Sequence, residues 1–289
     1  MAAVLLYHRV ADAAVDPFGL CVSAGTFRRH METIARSYRP LPLAAFVADA
    51  IRRRLEPESV AVTFDDGYLD NLTTAQPILE EFGIPASFFI TTSTLQSGAP
   101  YWWDQLVHIV FGATRKPSTL AQDPHELLRV LHRPLMRATV AERDRELQRL
   151  TIQLGPPDPR TLPRPMNKEE VRELANRPAV TIGAHGVSHT ALPALTAAEQ
   201  MAELTESRRH LEDLVRLPVT SVAYPFGEAT DTTVAVAHQA GFRIGAVVGN
   251  RACQLPLDRL RVPRIEVDPL TDIDARLAVD CAHESSTSD

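Results

Sequence analysis

Hydrophobic residues in this chain occur in two patterns. Short, mainly apolar runs predict buried strands, and longer segments with an apolar residue every three or four positions predict amphipathic helices. The predicted strands are Val4–Tyr7, Val60–Phe64, Ala86–Ile90, Ala179–Ile182, Ser221–Tyr224, Arg243–Val248 and Leu260–Val267. The predicted helices are one that begins at Ser23 and those at Leu43–Arg53, Leu69–Phe82, Lys168–Asn176, Ala197–Arg216, Thr232–Ala240 and Asp272–Ala282.

Strands and helices alternate along most of the chain, which predicts an α/β fold with a parallel sheet. We expect six to eight strands in a barrel-like arrangement, and the pattern leaves closure of the sheet undecided. Residues 97–165 interrupt the alternation with helical stretches at Asp123–Leu131 and Val140–Leu154, followed by a proline-rich return. We therefore predict one domain over residues 1–289, with an inserted helical lobe at about 97–165.

Composition excludes several classes of protein. The 289 residues include 45% hydrophobic and 23% charged side chains, with a net charge of −6, so a basic nucleic-acid surface is not expected. No apolar stretch is long enough for a membrane span, and the N-terminus lacks the features of a signal peptide, which predicts a cytoplasmic protein. Cys21, Cys253 and Cys281 are far apart, so isolated thiols are expected.

Two adjacent carboxylates, Asp65 and Asp66, follow the strand Val60–Phe64 and precede Gly67. In parallel α/β folds the functional sites lie at the carboxyl ends of the strands. A sharp turn helped by Gly67 can direct both side chains into one pocket, where they repel each other unless a cation or a shared proton lies between them. The same sequence is also typical of a helix N-terminus with a turn, so the carboxylates alone leave both interpretations open.

His185 and His189 follow the strand Ala179–Ile182 and are four residues apart. On a helical turn this spacing places both rings on one face, within reach of one ion. Two neutral imidazoles and one aspartate form a common zinc site with positions open for water and substrate. Two surface histidines would give the same spacing. Because both this pair and the aspartate pair follow strands, together they predict a metal site.

A third motif, Tyr224-Pro225-Phe226-Gly227, also comes directly after a predicted strand. Its proline and glycine fix a loop that can present backbone N–H groups to a developing oxyanion, although a simple Pro/Gly turn has the same sequence. The aromatic residues Tyr101, Trp102 and Trp103 begin the inserted lobe. They can stack on a sugar ring, but packing in the core of the lobe is the expected role.

The three motifs resemble those of the polysaccharide deacetylases with NodB homology (carbohydrate esterase family 4). Thr63–Gly67, His185–His189 and Tyr224–Gly227 occur in the order of the family, and the resemblance covers about residues 3–96 and 166–270. It implies a deformed (β/α) barrel that holds one divalent ion, usually Zn²⁺, with Co²⁺ or Ni²⁺ as substitutes.

The resemblance also implies roles for individual residues. Asp66, His185 and His189 correspond to the metal ligands, and Asp65 corresponds to the general base that takes a proton from the metal-activated water. A backbone N–H near Phe226, with the ion, would hold the oxyanion, and the substrate would contact the loop that begins at Tyr224.

The general acid is a point of departure from the family, because its C-terminal Leu-x-x-His motif is not clear around His283. Tyr7-His8 instead resembles a circularly rearranged branch of the family, in which an N-terminal Tyr-His supplies this histidine. His8 is therefore expected to be the general acid, and a structural histidine at the strand end is the alternative.

The arginine usual in the third motif is also absent, since Ala223 stands near its place. Arg264, in the last predicted strand, can orient Asp65 in its stead or form a surface ion pair. The sequence does not decide between these two interpretations.

The expected reaction is hydrolysis of the N-acetyl group of an amino sugar or glycoside. A deformylase or O-acetyl esterase is an alternative with the same water attack, and a non-catalytic sugar-binding module is another. The expected partner is the sugar substrate, and the sequence predicts no oligomeric state.

Overall fold

The computed structural model describes residues 2–113, 123–273 and 277. Its strands are β1 (Ala3–Tyr7), β2 (Arg9–Val10), β3 (Cys21–Val22), β4 (Arg39–Pro40), β5 (Ser59–Phe64), β6 (Ala86–Ile90), β7 (Val180–Ala184), β8 (Ser221–Ala223), β9 (Ile244–Val248) and β10 (Val262–Glu266). Its α-helices are α1 (Ala24–Ser37), α2 (Leu43–Ile51), α3 (Gln76–Glu81), α4 (Trp102–Phe111), α5 (Pro124–Arg137), α6 (Val140–Leu154), α7 (Lys168–Ala175), α8 (Ala197–Val215) and α9 (Asp231–Gln239).

Within the described residues, seven parallel strands close into a barrel in the order β1, β10, β9, β8, β7, β6, β5 and back to β1. Closure depends on β1, in which Leu5 lies opposite Val62 of β5 on one side and Ile265 of β10 on the other. The short strand β4 extends the sheet beside the start of β5, and β2 and β3 form a separate parallel pair. The predicted parallel α/β barrel is confirmed.

The two faces of the barrel wall have different packing partners. Leu5 and Val62 belong to the larger core, which the strands share with Phe27, Met31 and other apolar residues of the surrounding helices. Residues at alternating positions, among them Val4, Ala61 and Val262, form a second buried cluster on the inner face. Because side chains alternate along a strand, residues 65 and 264 continue the inner series of β5 and β10.

The helices α4, α5 and α6 lie between β6 and β7, and we refer to these three helices as the lobe. The lobe has its own apolar cluster, which includes Trp102, Trp103, Leu106 and Leu150. None of the helices among the described residues combines the length and the apolar character needed to cross a bilayer.

Several predicted boundaries were wrong. The sequence pattern missed α4, whose aromatic and β-branched residues form helices poorly in isolation and are held here by packing in the lobe core. The predicted end of α5 was Leu131, whereas the helix continues through Pro134 to Arg137. Burial of Leu135 and a hydrogen bond to its carbonyl stabilise this last turn. It also missed β4, which has only two residues.

Two further segments differ from or fall outside the prediction. The helix predicted at Leu69–Phe82 contains a π-helical stretch, Asn71–Ala75, just before Pro77, which lacks a backbone donor. Most of the helix predicted at Asp272–Ala282 lies outside the described residues, as do Cys281 and His283. Cys21 and Cys253 are free thiols, as expected.

Candidate active site

The two aspartates project into one cavity from the carboxyl end of β5. Asp66 and Gly67 both have left-handed backbone conformations, with φ of 70° and 83°. This turn is tight, since a Cβ on Gly67 would lie 2.8 Å from Cδ1 of Ile90. Both carboxylates line a cavity of about 280 Å³, so the turn brings together two side chains that would otherwise point to opposite faces.

The two histidines reach the same cavity from the loop after β7. This strand extends to Ala184, so His185 follows it directly and its backbone N–H donates to the carbonyl of Ile90. The helical turn expected for the two histidines is wrong, because residues 185–190 form an irregular loop in which Gly186 and His189 have positive φ values. The loop nevertheless places the two ring centroids 4.8 Å apart.

Three side chains form a group that could hold a metal ion: Asp66, His185 and His189 offer ligand atoms that all lie within 4.8 Å of one another. Oδ1 of Asp66 is 3.2 Å from Nε2 of His189 and 3.4 Å from Nε2 of His185, yet this buried oxygen has no hydrogen-bond partner in the described residues. Nδ1 of His185 lies 2.8 Å from the carbonyl oxygen of Ala223, to which it donates when the proton is on Nδ1. That leaves the Nε2 lone pair facing Asp66, as a metal ligand requires.

Asp65 is held by Arg264 across the inside of the barrel. Both terminal nitrogens of the guanidinium donate to the carboxylate at 2.7 Å, and one also contacts Oγ1 of Thr63 at 3.3 Å. The Arg264 side chain is fully buried, and that of Asp65 is 4% exposed. A surface ion pair is therefore excluded for Arg264, and the bidentate contact fixes the plane of the Asp65 carboxylate.

Burial alone would raise the pKa of Asp65, but the charge and hydrogen bonds of Arg264, together with nearby His185, hold it below its usual value. Burial also opposes ionisation of Asp66, and there the two imidazoles lower the carboxyl pKa. Both carboxylates are consequently ionised at neutral pH. Two buried anions beside two imidazoles form an environment that favours a cation.

Of the other predicted site residues, His8 and Phe226 lie at the cavity, whereas Tyr224 does not. His8 and Phe226 line the cavity, and the Phe226 ring packs against His189 with centroids 4.6 Å apart. The Tyr224 side chain is not brought to the cavity, since its buried hydroxyl donates to the carbonyl of Leu260. The turn that begins at Tyr224 instead brings Phe226 to the cavity, with a left-handed φ of 59° at Phe226.

Sequence reasoning missed much of the cavity wall. The further lining residues come from four different parts of the chain: Phe18, Leu20, His132, Met136, Val248 and Glu266. Burial lowers the pKa of His132 to about 4, so its ring is neutral at pH 7. None of these residues belongs to a recognisable sequence motif. Only Val248 and Glu266 could have been predicted, from their positions at the carboxyl ends of strands.

The aromatic residues at the start of the lobe are buried, as the core-packing interpretation expected. Tyr101 donates to the backbone carbonyl of Asp66 at 2.5 Å and stacks on Trp103 with centroids 4.3 Å apart. Trp103 also lines the cavity and packs against His189 at 4.5 Å. The lobe therefore contacts both segments that carry the candidate metal ligands.

The buried carboxyl of Asp104 is hydrogen-bonded to this aromatic group. Its Oδ2 accepts the hydroxyl of Tyr68 at 2.8 Å, and that hydroxyl accepts Nε1 of Trp103 at the same distance. Burial raises the pKa of Asp104 to about 7, only partly opposed by Tyr68 and Arg9. The carboxyl is therefore largely protonated in the folded protein below neutral pH.

This shift predicts a loss of stability as the pH rises. Between the unfolded pKa near 4 and the folded pKa near 7, the folded state binds more protons at Asp104, so the free energy of unfolding decreases with pH. From pH 5 to 7.5 we expect this residue to contribute a decrease of about 2–3 kcal/mol. Urea unfolding of chelator-treated protein should show that Asp104→Asn, which keeps an acceptor for Tyr68, lacks this decrease. The exposed Asp144→Asn on α6 should retain it, and equal pH dependence in both variants would contradict the shift.

The fold and site define a (β/α)-barrel enzyme with a paired-aspartate centre and an Asp-His-His group suited to a divalent ion. The family model for polysaccharide deacetylases matches residues 52–245, more than half of the chain, and the chain belongs to this family. It is thus a hydrolase that acts on carbon–nitrogen bonds other than peptide bonds.

Individual relatives agree with this assignment at low identity. YxkH of Bacillus subtilis (strain 168), whose name also assigns it to the polysaccharide deacetylases, is 20% identical over 268 residues, which cover 92% of this chain and 71% of that protein. The Streptococcus pyogenes deacetylase PplD, solved in complex with acetate, superposes with a TM-score of 0.61 at 16% identity over 98% of this chain and 96% of its own. IcaB from Ammonifex degensii gives a TM-score of 0.62 at 19% identity, with coverage of 97% and 95%. At these identities the structures support the fold.

Proposed function

We propose that this protein is a metal-dependent deacetylase that hydrolyses the N-acetyl group of an amino sugar or glycoside, within a single domain that includes the lobe. The observation that carries the proposal is Asp66 Oδ1, which has no hydrogen-bond partner among the described residues and is buried between Nε2 of His185 and Nε2 of His189. These three residues would hold the ion, and their nitrogen and oxygen donors suit Zn²⁺, with Co²⁺ or Ni²⁺ as substitutes.

When bound, the ion would polarise the acetyl carbonyl and lower the pKa of a water molecule. Asp65 would take the proton of the attacking water on a carboxylate oxygen. Arg264 occupies one lone pair on each oxygen of this carboxylate, which keeps it ionised and oriented before the reaction and leaves other lone pairs free to accept the proton. The lowered pKa of Asp65 agrees with a base that is ready at neutral pH.

His8 would donate the proton that the departing amine needs. It stands at the end of β1, next to Asp65, whose backbone N–H donates to the carbonyl of Tyr7. His8 lines the cavity together with both aspartates and lies outside the Asp-His-His group. The backbone N–H of Phe226, another residue that lines the cavity, would face the developing oxyanion.

The cavity wall is consistent with a sugar substrate. Trp103 and Phe226 present aromatic surfaces, while Glu266 and His132 offer polar atoms for hydroxyl groups. Membership of the polysaccharide deacetylase family supports an acetylated carbohydrate as the substrate class.

The proposal is tested by metal analysis together with acetate release from a panel of N-acetylated amino sugars and their glycosides. We expect about one divalent ion per chain, loss of acetate release after chelation, and recovery on addition of Zn²⁺ or Co²⁺. Asp66→Asn should lower metal affinity by 10-fold or more, roughly the loss seen when a metal site is perturbed. Acetate release that persists in fully metal-free protein would contradict the proposal. Stoichiometric metal without turnover of any acylated sugar would favour a binding module.

A further inference from the structure

The loop that carries His189 is held by two other parts of the chain. Its backbone is left-handed at His189, with a φ of 51°, which a non-glycine residue adopts only when its surroundings stabilise it. Nδ1 of His189 is buried and has no hydrogen-bond partner among the described residues. The His189 ring is therefore oriented through its packing and through the backbone on either side.

Arg143, on α6 of the inserted lobe, binds that backbone from one side. Its guanidinium donates to the carbonyl of Ser188 at 3.2 Å and to Oγ1 of Thr190 at 3.1 Å. These two residues directly flank His189 in the chain. Glu203 binds the loop from another element, where Oε2 accepts the backbone N–H groups of Val187 and Ser188 at 2.7 and 3.0 Å.

The Arg143 guanidinium also binds backbone carbonyls within the lobe. Nε of Arg143 donates to the carbonyl of Leu135 at 2.8 Å, and a terminal nitrogen donates to the carbonyl of Met136 at 3.3 Å. The group lies over the Trp102 ring at 5.2 Å. Arg143 is only 3% exposed, and no described carboxylate lies within salt-bridge distance of it. Glu203 and Asp144 stabilise the charged guanidinium from a greater distance, while its hydrogen bonds go to these carbonyl and hydroxyl acceptors, so its position and theirs are coupled.

We propose that Arg143 is a positioning residue for the metal site, through which the inserted lobe holds His189 in the orientation that ligation needs. This inference rests on the proposed metal role of His189. It gives the lobe a function beyond lining part of the cavity, because displacement of the lobe would move the loop and with it one ligand. Arg143 itself is not in the group that could hold the ion, and its hydrogen bonds near the site go to the two residues that flank His189.

The test is the metal affinity of the full-length protein after chelation, measured by titration with Zn²⁺ and by the absorption spectrum of the Co²⁺ form. We expect Arg143→Met to weaken metal binding by about 10–100-fold and to change the Co²⁺ spectrum, as loss of an outer-shell partner does. Arg145→Met, an exposed position two residues away on the same helix, should bind metal like the wild type. If folded Arg143→Met binds metal as tightly as Arg145→Met, the inference is overturned while the proposed function stands. If the wild type binds no metal, the proposed function itself fails.

If Arg143→Met does not fold, two smaller substitutions at Thr190 test the same contact. Thr190→Val removes the hydroxyl that accepts from Arg143 but keeps the shape, whereas Thr190→Ser keeps the hydroxyl. We expect Thr190→Val to bind metal several-fold more weakly than Thr190→Ser. Equal affinities, with equal thermal stability, would show that the contact does not position the ligand.

Discussion

Replacing Asp65 with asparagine is expected to lower the rate of acetate release by about 10²–10⁴-fold, the contribution of a well-placed general base. Asparagine keeps the shape and can still accept a hydrogen bond from Arg264, but its amide does not take a proton from water. Asp65 is not in the group of three that could hold the ion, so the metal content should remain near that of the wild type. Steady-state acetate release and metal analysis on the same preparation measure both effects.

The matched control is Asp66→Asn, one residue further along the same turn. We expect that variant to lose its metal first and its activity as a consequence, with partial recovery at high metal concentration. Asp65→Asn should not recover in this way. Deacetylation near the wild-type rate by metal-loaded Asp65→Asn would contradict the assigned base.

The strands that sequence predicted best are those buried on both faces. β6 has five buried residues, all apolar except Ser87, and the predicted and observed ends of Ala86–Ile90 coincide. β4 could not be recognised, because its two residues are half-buried or exposed and carry no hydrophobic pattern. Closure of the barrel could not be predicted either, because it depends on β1 pairing with both β5 and β10, which are far apart in the chain.

The centre of the site was predictable because it consists of residue types that are rare together at strand ends. Asp66 and His189 were recognised in this way, although the helical turn expected to join the histidines is an irregular loop. Arg264 was found from its strand position, and the alternation of side chains explains why it meets Asp65. Its burial, which excludes the surface interpretation, follows only from closure of the barrel around it.

The supports of the site could not be predicted. The carbonyl of Ala223 receives His185, and a backbone carbonyl gives no signal in residue type. Arg143 and Glu203 each contact the histidine loop from helices whose sequence patterns are those of ordinary amphipathic helices. Such contacts depend on how helices pack on the barrel, which local sequence does not specify.

Replacing Arg264 with methionine is expected to destabilise the protein by about 3–5 kcal/mol, because it leaves the Asp65 carboxylate buried without its partner. Loss of the guanidinium also removes what lowers the pKa of Asp65, so burial would raise it. A base must be ionised to act, and the acidic limb of the pH–rate profile should therefore move to higher pH. Chemical denaturation and a pH profile of kcat/KM measure the two effects. Arg261→Met, which removes two exposed ion pairs just before β10, with Asp231 and Asp258, should change stability by less than about 1 kcal/mol.

The double variant Asp65→Asn with Arg264→Met separates stability from catalysis. Removing both charges leaves neither one buried alone, so we expect it to be more stable than Arg264→Met by about 1–3 kcal/mol. Its activity should remain as low as that of Asp65→Asn, because the base is still missing. If the two substitutions instead add in their effects on stability, the pair is not coupled and Arg264 acts on Asp65 by some other route. If activity returns with stability, the loss in the single variants reflects misfolding and not the absence of a base.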